Sequence, residues 1–287
     1  MKRGPYLGAH MSIAGGFDKA VERGKTVEIE ALQIFTKSSN QWAAKRMTAE
    51  EPDRFRTAKE EAGLKFVFAH DSYLINMASP DPALWEKSVR AFGEEMDRAE
   101  ALGLDFLIFH PGAHMGEGIE KGAKRLSDAL NRLTGERKDQ KVLLLLENCA
   151  GQGTTVGRKF EELSMIRDAV EEKKRVGFCF DTCHAFAAGY DLRTKETYEA
   201  TMKEFDRVAG LKHLWAFHVN DSKKGLDCRV DRHEHIGKGE LGLEPFRFLL
   251  NDSRFKDHPM VIETPKSDDL HEDRENLKKL RSLLQRS

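Results

Sequence analysis

The chain has 287 residues, 39% of them hydrophobic and 33% charged, and a net charge of −1. That length fits one α/β barrel as well as two average domains, and the composition describes a soluble protein with a highly charged surface. The near-zero charge excludes a global basic field for nucleic acid, so any DNA contact must rest on local charge or on bound metal.

Taken in chain order, short β-rich runs alternate with helical periodicity. The first strand is expected at Tyr6–His10 and the second at Ala31–Phe35. Thr48-Ala-Glu-Glu51 reads as a capping box before a charged helix ending near Gly63. A third strand follows at Lys65–His70. Asp81-Pro82 is a cap followed by a proline at the first helical position. The helix after it carries Trp85, Val89, Phe92, Met96 and Leu102 on one face and stops at Gly103. Further strands are expected at Phe106–His110, Val142–Asn148 and Val176–Thr182. Thr194 caps a helix with Tyr198, Phe205 and Val208 inward and Gly210 at its end. The last strands are Leu214–Asn220 and Met260–Thr264, before a helix holding Leu277, Leu280 and Leu284.

That makes eight strands, and several, such as Val-Leu-Leu-Leu-Leu-Glu-Asn over 142–148, lack polar alternation. Strands covered on both faces have that pattern. The expectation is a single (β/α)8 TIM barrel over residues 1–287. An open doubly wound sheet would need a phosphate-binding glycine loop, and Gly151-Gln-Gly153 does not complete one. The four cysteines, Cys149, Cys179, Cys183 and Cys228, form no CxxC pair. They read as reduced thiols in a cytoplasmic protein. No signal core and no run able to span a bilayer is seen.

Barrel chemistry sits at the C-terminal ends of the strands. Those ends read His70, His110, Glu147, Asp181 with His184, His218 and Glu263, and the loop after the seventh strand adds Asp231 and His233. Any one of these could be a hydrogen-bonded structural residue or a helix cap. Six successive strand ends with a metal-competent side chain are harder to explain that way, because burying unpaired charge costs several kcal/mol. Imidazole with carboxylate and no thiolate suits zinc, manganese or iron, and five histidines among nine candidates favour zinc. Zinc takes about four or five ligands, so nine side chains are too many for one ion and generous for two.

His70-Asp-Ser-Tyr-Leu-Ile-Asn76, Phe109-His-Pro-Gly112, Glu147-Asn148, Ala150-Gly-Gln-Gly153, Asp181-Thr-Cys-His-Ala-Phe-Ala-Ala-Gly-Tyr190, His218-Val-Asn-Asp221, Asp231-Arg-His233 and Glu263-Thr264 together resemble the endonuclease IV family. The resemblance runs from Gly8-Ala-His10 to the last strand. It implies a xylose-isomerase-like TIM barrel that uses zinc to incise DNA 5′ to abasic sites and to trim blocked 3′ ends, as in base excision repair. It also implies three zinc ions. One would take His70, His110 and Glu147. A second would share Glu147 and add Asp181, His218 and Glu263. A third would take His184, Asp231 and His233. Glu147 would be the bridge and the residue most directly tied to catalysis. Four carboxylates against three zinc ions leave a site of about +2, which attracts phosphate.

The implied partner is double-stranded DNA carrying abasic sites or blocked 3′ ends, with no membrane and no protein partner, on a monomer. Lys37, Arg46, Arg229, Arg232 and Lys238 lie in loops of the same rim and can hold backbone phosphates. Tyr73 and Leu74 suit wedging into a base stack. In the family an arginine joins that wedge, and the corresponding position here is Asn40. His10 and His114 are candidates to support the site, and His235 neighbours the last metal pair. His213, His258 and His271 read as surface residues, and packing accounts for Cys179 and Cys183. Two other classes compete. A sugar isomerase or epimerase would need only Glu147, Asp181, His218 and Glu263. A non-catalytic DNA-binding module would not need an intact ligand set.

Overall fold

A computed structural model describes residues 4–285. Among these, eight parallel strands close into a barrel in which consecutive strands are neighbours. They are Tyr6–His10, Ala31–Phe35, Phe66–His70, Phe106–Phe109, Leu143–Glu147, Val176–Asp181, Leu214–His218 and Pro259–Ile262. The first pairs with the last, Leu7 opposite Met260, and closes the ring. Gly8 lets the first strand lie close to the second, since a Cβ there would meet the Ala31 carbonyl oxygen at 1.9 Å. The observed strands lie within two residues of the expected ones at each end.

Helices return the chain between strands. Pro82–Leu102 starts where Asp81 accepts hydrogen bonds from the Ala83 and Leu84 amides and stops at left-handed Gly103. Lys195–Val208 starts at a capping box between Thr194 and Thr197. At Glu50–Glu61 only half of the expected box forms. The Glu51 carboxylate accepts from the Thr48 amide, while no side chain caps the helix.

Strand side chains alternate, so each strand supplies two cores. Outward residues such as Leu32, Val67, Leu107, Phe109, Leu144, Phe178 and Phe217 pack under the helices against Phe55, Phe92, Leu126, Phe160 and Phe205. Inward, a small plug of Ala31, Phe68, Ile108, Leu145, Cys179, Ala216 and Val261 fills the barrel. Phe92 and Phe109, both wholly buried with centroids 4.8 Å apart, show the outer core's density. Truncating either to alanine would cost about 3–5 kcal/mol. The inner plug supports everything above it.

Candidate metal centre

The residue two positions after each plug residue lies on the same inner face, one layer higher. Phe68 leads to His70, Ile108 to His110, Leu145 to Glu147, Cys179 to Asp181, Ala216 to His218 and Val261 to Glu263. The same step takes Ala31 to Gln33. The six expected strand-end residues therefore converge because period-two geometry stacks them over an apolar floor. His184 comes from the short helix Thr182–Ala187, whose N-cap is Asp181 itself. His233 lies on a two-residue strand, His233–Glu234, which pairs antiparallel with Asp221–Ser222.

Glu147 is at the centre and fully buried. Its Oε2 is 3.1 Å from His70 Nε2 and 3.2 Å from His110 Nε2. Its Oε1 is 2.8 Å from His218 Nδ1 and 3.2 Å from His184 Nδ1. Asp231 Oδ1 lies 3.2 Å from His184 Nε2 and 3.4 Å from His233 Nε2. Donor atoms fall within 4.8 Å of one another in three groups: His70, His110 and Glu147; Glu147, Asp181, His218 and Glu263; and His184, Asp231 and His233. This nitrogen–oxygen donor set fits a borderline cation such as zinc. Asp181, Cys183 and His233 also approach one another. Burial pushes the Cys183 thiol up to about 12, and its Sγ donates to the Arg232 carbonyl.

The electrostatics match. Burial opposes ionisation of Glu147, but His218 and His110 outweigh it and hold the carboxyl well below the usual range. Burial likewise opposes charging of His184, and Asp181 and Asp231 outweigh it, so that imidazole is raised well above 6.5. In the metal-free chain, protons on histidine balance the carboxylates. A cation would replace them.

A ring of further polar groups aims these side chains. His70 Nδ1 meets the Asp71 carbonyl at 2.9 Å and His184 Nδ1 the Asn148 carbonyl at 2.9 Å. Asn220 donates to Asp181 Oδ2 at 2.7 Å and accepts from the Glu263 amide. Asp221 accepts four backbone N–H groups, from Ser222, Gly237, Gly239 and Leu241. The sequence motifs contain Asn148, Asn220 and Asp221 without revealing these roles, and Gln33 lies outside the motifs altogether. The signal for Gln33 was a polar residue at the inner position of an apolar strand, Ala-Leu-Gln-Ile-Phe.

Other expectations need adjusting. The Lys37 ammonium is buried, 3.4 Å from Glu95 and donating to the Gln41 carbonyl, so it braces its loop instead of facing a phosphate. His10 does support the site, through Gln33 at 2.8 Å. His114 instead accepts from the Gly116 and Gly118 amides and fixes a turn. His258 is not a surface residue. It is half-buried against Phe217 and Phe255, with Nε2 on the Leu214 carbonyl. Tyr73 is 61% exposed beside Phe35 and His70, and Leu74 is half-buried. Asn40, Arg229 and Arg232 are exposed. A cavity of 430 Å³ opens between Tyr73, Phe35, His10, Glu263 and Lys266.

Residues 17–286 match the family described as xylose isomerase-like TIM barrel. A probable endonuclease 4 of Chloroflexus aurantiacus is 50% identical over 98% of this chain and 99% of its own. Another, of Geobacter sulfurreducens, is 52% identical over 98% and 95%. The crystal structure of endonuclease IV from Thermus thermophilus superposes with a TM-score of 0.86 at 35% identity, covering 97% of this chain and 98% of that one. A D-tagatose 3-epimerase-like protein shares the fold alone, at 17% identity and a TM-score of 0.73, covering 97% of each chain. With relatives at half identity over nearly its whole length, this chain belongs to the endonuclease IV family of nucleases, built on the xylose isomerase-like barrel.

Proposed function

We propose that the protein is a zinc-dependent DNA repair endonuclease that hydrolyses the phosphodiester 5′ to abasic sites and removes 3′-blocking groups, acting as a cytoplasmic monomer on double-stranded DNA. The observation that carries this reading is the division of nine side chains into three donor groups, two of them sharing Glu147. His70 and His110 would hold one ion with Glu147. Asp181, His218 and Glu263 would hold a second with the same carboxylate, and His184, Asp231 and His233 a third. Bound there, zinc supplies Lewis-acid activation of water and of a phosphoryl oxygen.

The chain's own residues do the rest. Glu147 offers one oxygen to each side of the cluster and keeps two donor groups together. The buried floor excludes bulk water from below, which strengthens every charge interaction at the rim. Tyr73 and Leu74 stand at the edge where a base stack would be opened, and Arg229 and Arg232 lie in the rim loop that would meet phosphates. With Asn40 at the tip of the second loop, the wedge lacks a charged member. No protein nucleophile is needed when water is activated in this way, and burial pushes the nearby thiols of Cys179 and Cys183 up to about 12.

A sugar isomerase would be served by Glu147, Asp181, His218 and Glu263 alone. The five further donors grouped around them favour the nuclease. The deciding experiment is a labelled duplex with one abasic analogue, incubated with protein and sized. A single cut 5′ to the lesion, lost on chelation and restored by zinc, is the expected result. An intact duplex with zinc-loaded protein would refute the proposal.

A further inference from the structure

The eight inner positions at the top of the barrel are His10, Gln33, His70, His110, Glu147, Asp181, His218 and Glu263, and Gln33 is the one that cannot carry charge. It is wholly buried, and both ends of its amide are in use. Its Nε2 is 2.5 Å from Glu263 Oε1 and 2.8 Å from His10 Nδ1. Its Oε1 is 2.6 Å from His218 Nε2.

The roles at these contacts follow from one fixed point. A carboxylate only accepts, so the amide nitrogen must face Glu263. The amide oxygen then faces His218, and His218 Nε2 must be the donor. Whenever the ring is neutral, as a metal ligand must be, its lone pair is then on Nδ1, the atom aimed at Glu147 Oε1 and Glu263 Oε2.

The contrast with the other histidines is informative. His70, His184 and His233 have their second nitrogen on a main-chain carbonyl, that of Asp71, Asn148 and Glu263 respectively. A main-chain acceptor comes with the fold. His218 depends on a side chain, and the same side chain holds Glu263. Two of the four donors of one group are therefore oriented by a single amide.

We propose that Gln33 is a positioning residue for the metal group of Glu147, Asp181, His218 and Glu263, setting the tautomer of His218 and the direction of Glu263, and so the affinity of that group alone. The inference rests on the metal centre proposed above. Partners of this kind typically govern metal affinity by about 10–100-fold.

The test compares wild type with Gln33→Met, which keeps length and apolar volume but neither hydrogen bond. Zinc-loaded protein is dialysed against graded chelator and its zinc counted. Ring-nitrogen NMR of histidine-labelled protein reports the tautomer of His218, and melting of the metal-free form reports the scaffold. The expected result is one zinc lost at about 10–100-fold lower chelator strength than in wild type, the others retained. The His218 Nε2–H signal should weaken, with the metal-free melting point little changed. If Gln33→Met does not fold, Gln33→Asn withdraws both amide ends by one methylene and should give the same selective loss. Wild type that retains no zinc would overturn the metal centre and this inference together. Wild type that retains zinc beside a variant with the same chelator profile would overturn this inference alone. So would a uniform weakening of every site with a lowered metal-free melting point, which would mark a structural role only.

Discussion

Lys37 Nζ lies 3.4 Å from Glu95 Oε1, with the two side chains only 3% and 1% exposed. Glu95 also accepts from the Thr36 hydroxyl, and Lys37 donates to the Gln41 carbonyl, so the pair ties the second strand, its loop and the helix Pro82–Leu102 together. Removing one member strands the other charge in the interior. Lys37→Met should lower stability by about 3–5 kcal/mol, while Lys37→Met with Glu95→Leu should recover most of that loss. Urea unfolding of the two single variants and the double variant measures this. Additive losses would mean the pair is not coupled.

Asp221 organises the loop that carries Asp231 and His233. Its carboxylate gathers four amides, and Gly239 lets it approach, because a Cβ there would meet Asp221 Oδ1 at 2.5 Å. Hydrogen bonds to a charged acceptor contribute about 1.5–3 kcal/mol each, though not additively. Asp221→Ala should lower the melting temperature and release the zinc proposed for His184, Asp231 and His233 before the others. Zinc counting with thermal melts checks this. A full zinc complement in the variant would separate Asp221 from the site.

Glu147→Gln keeps the volume but removes a charge placed between four histidines. The barrel should stay folded, with incision of an abasic duplex reduced by more than about ten-fold, on the order of the effect of losing a metal-orienting group. Circular dichroism confirms the fold and a gel assay the rate. Activity above roughly a tenth of wild type would argue against Glu147 as the bridge.

Tyr73→Ala with Leu74→Ala should spare the metal centre, because neither side chain is among its donors. Opening a base step costs a few kcal/mol, which a wedge partly offsets. The variant should lose much more activity on an internal abasic site than on a 3′-phosphate at a recessed end. Equal losses on the two substrates, with an unchanged melting curve, would remove support for the wedge.

The pH response follows from the raised histidines and depressed carboxylates. In metal-free protein His184 and His218 are raised well above 6.5, because Asp181 and Asp231 around the first, and Cys179, Glu147 and Glu263 around the second, outweigh burial. Their stabilisation is present below about 6.5 and lost as pH rises through the folded values. Glu147 and Glu263 are depressed below 4.5, against burial, by the histidines around them. Their contribution is present above about 4.5 and lost as pH falls through the folded values. The metal-free site is thus most favourable between roughly 4.5 and 6.5, whereas zinc needs a free imidazole nitrogen and gains as pH rises. Melting points of zinc-loaded and chelated protein should diverge between about pH 6 and pH 8. A constant gap would contradict the assignment.

What the sequence determined by itself was local or periodic. Buried parallel strands show as apolar runs, and helix starts show as caps such as Asp81 and Thr194, because both depend on residues near in the chain. The strand-end donors were legible because period-two alternation and the barrel's rim put them on one face before any contact is known. Thr48 shows the limit: Glu51 reaches its amide, yet the helix starts at Glu50 without a side-chain cap. The tertiary structure alone decided the rest. Lys37 reads as a rim lysine until Glu95, far along the chain, is packed beneath it. Gln33 reads as one polar residue in a strand until His218 and Glu263 close over its amide from strands late in the chain. Partners that distant leave no periodic trace, because the energy that selects them exists only once the ring has closed and water has been excluded.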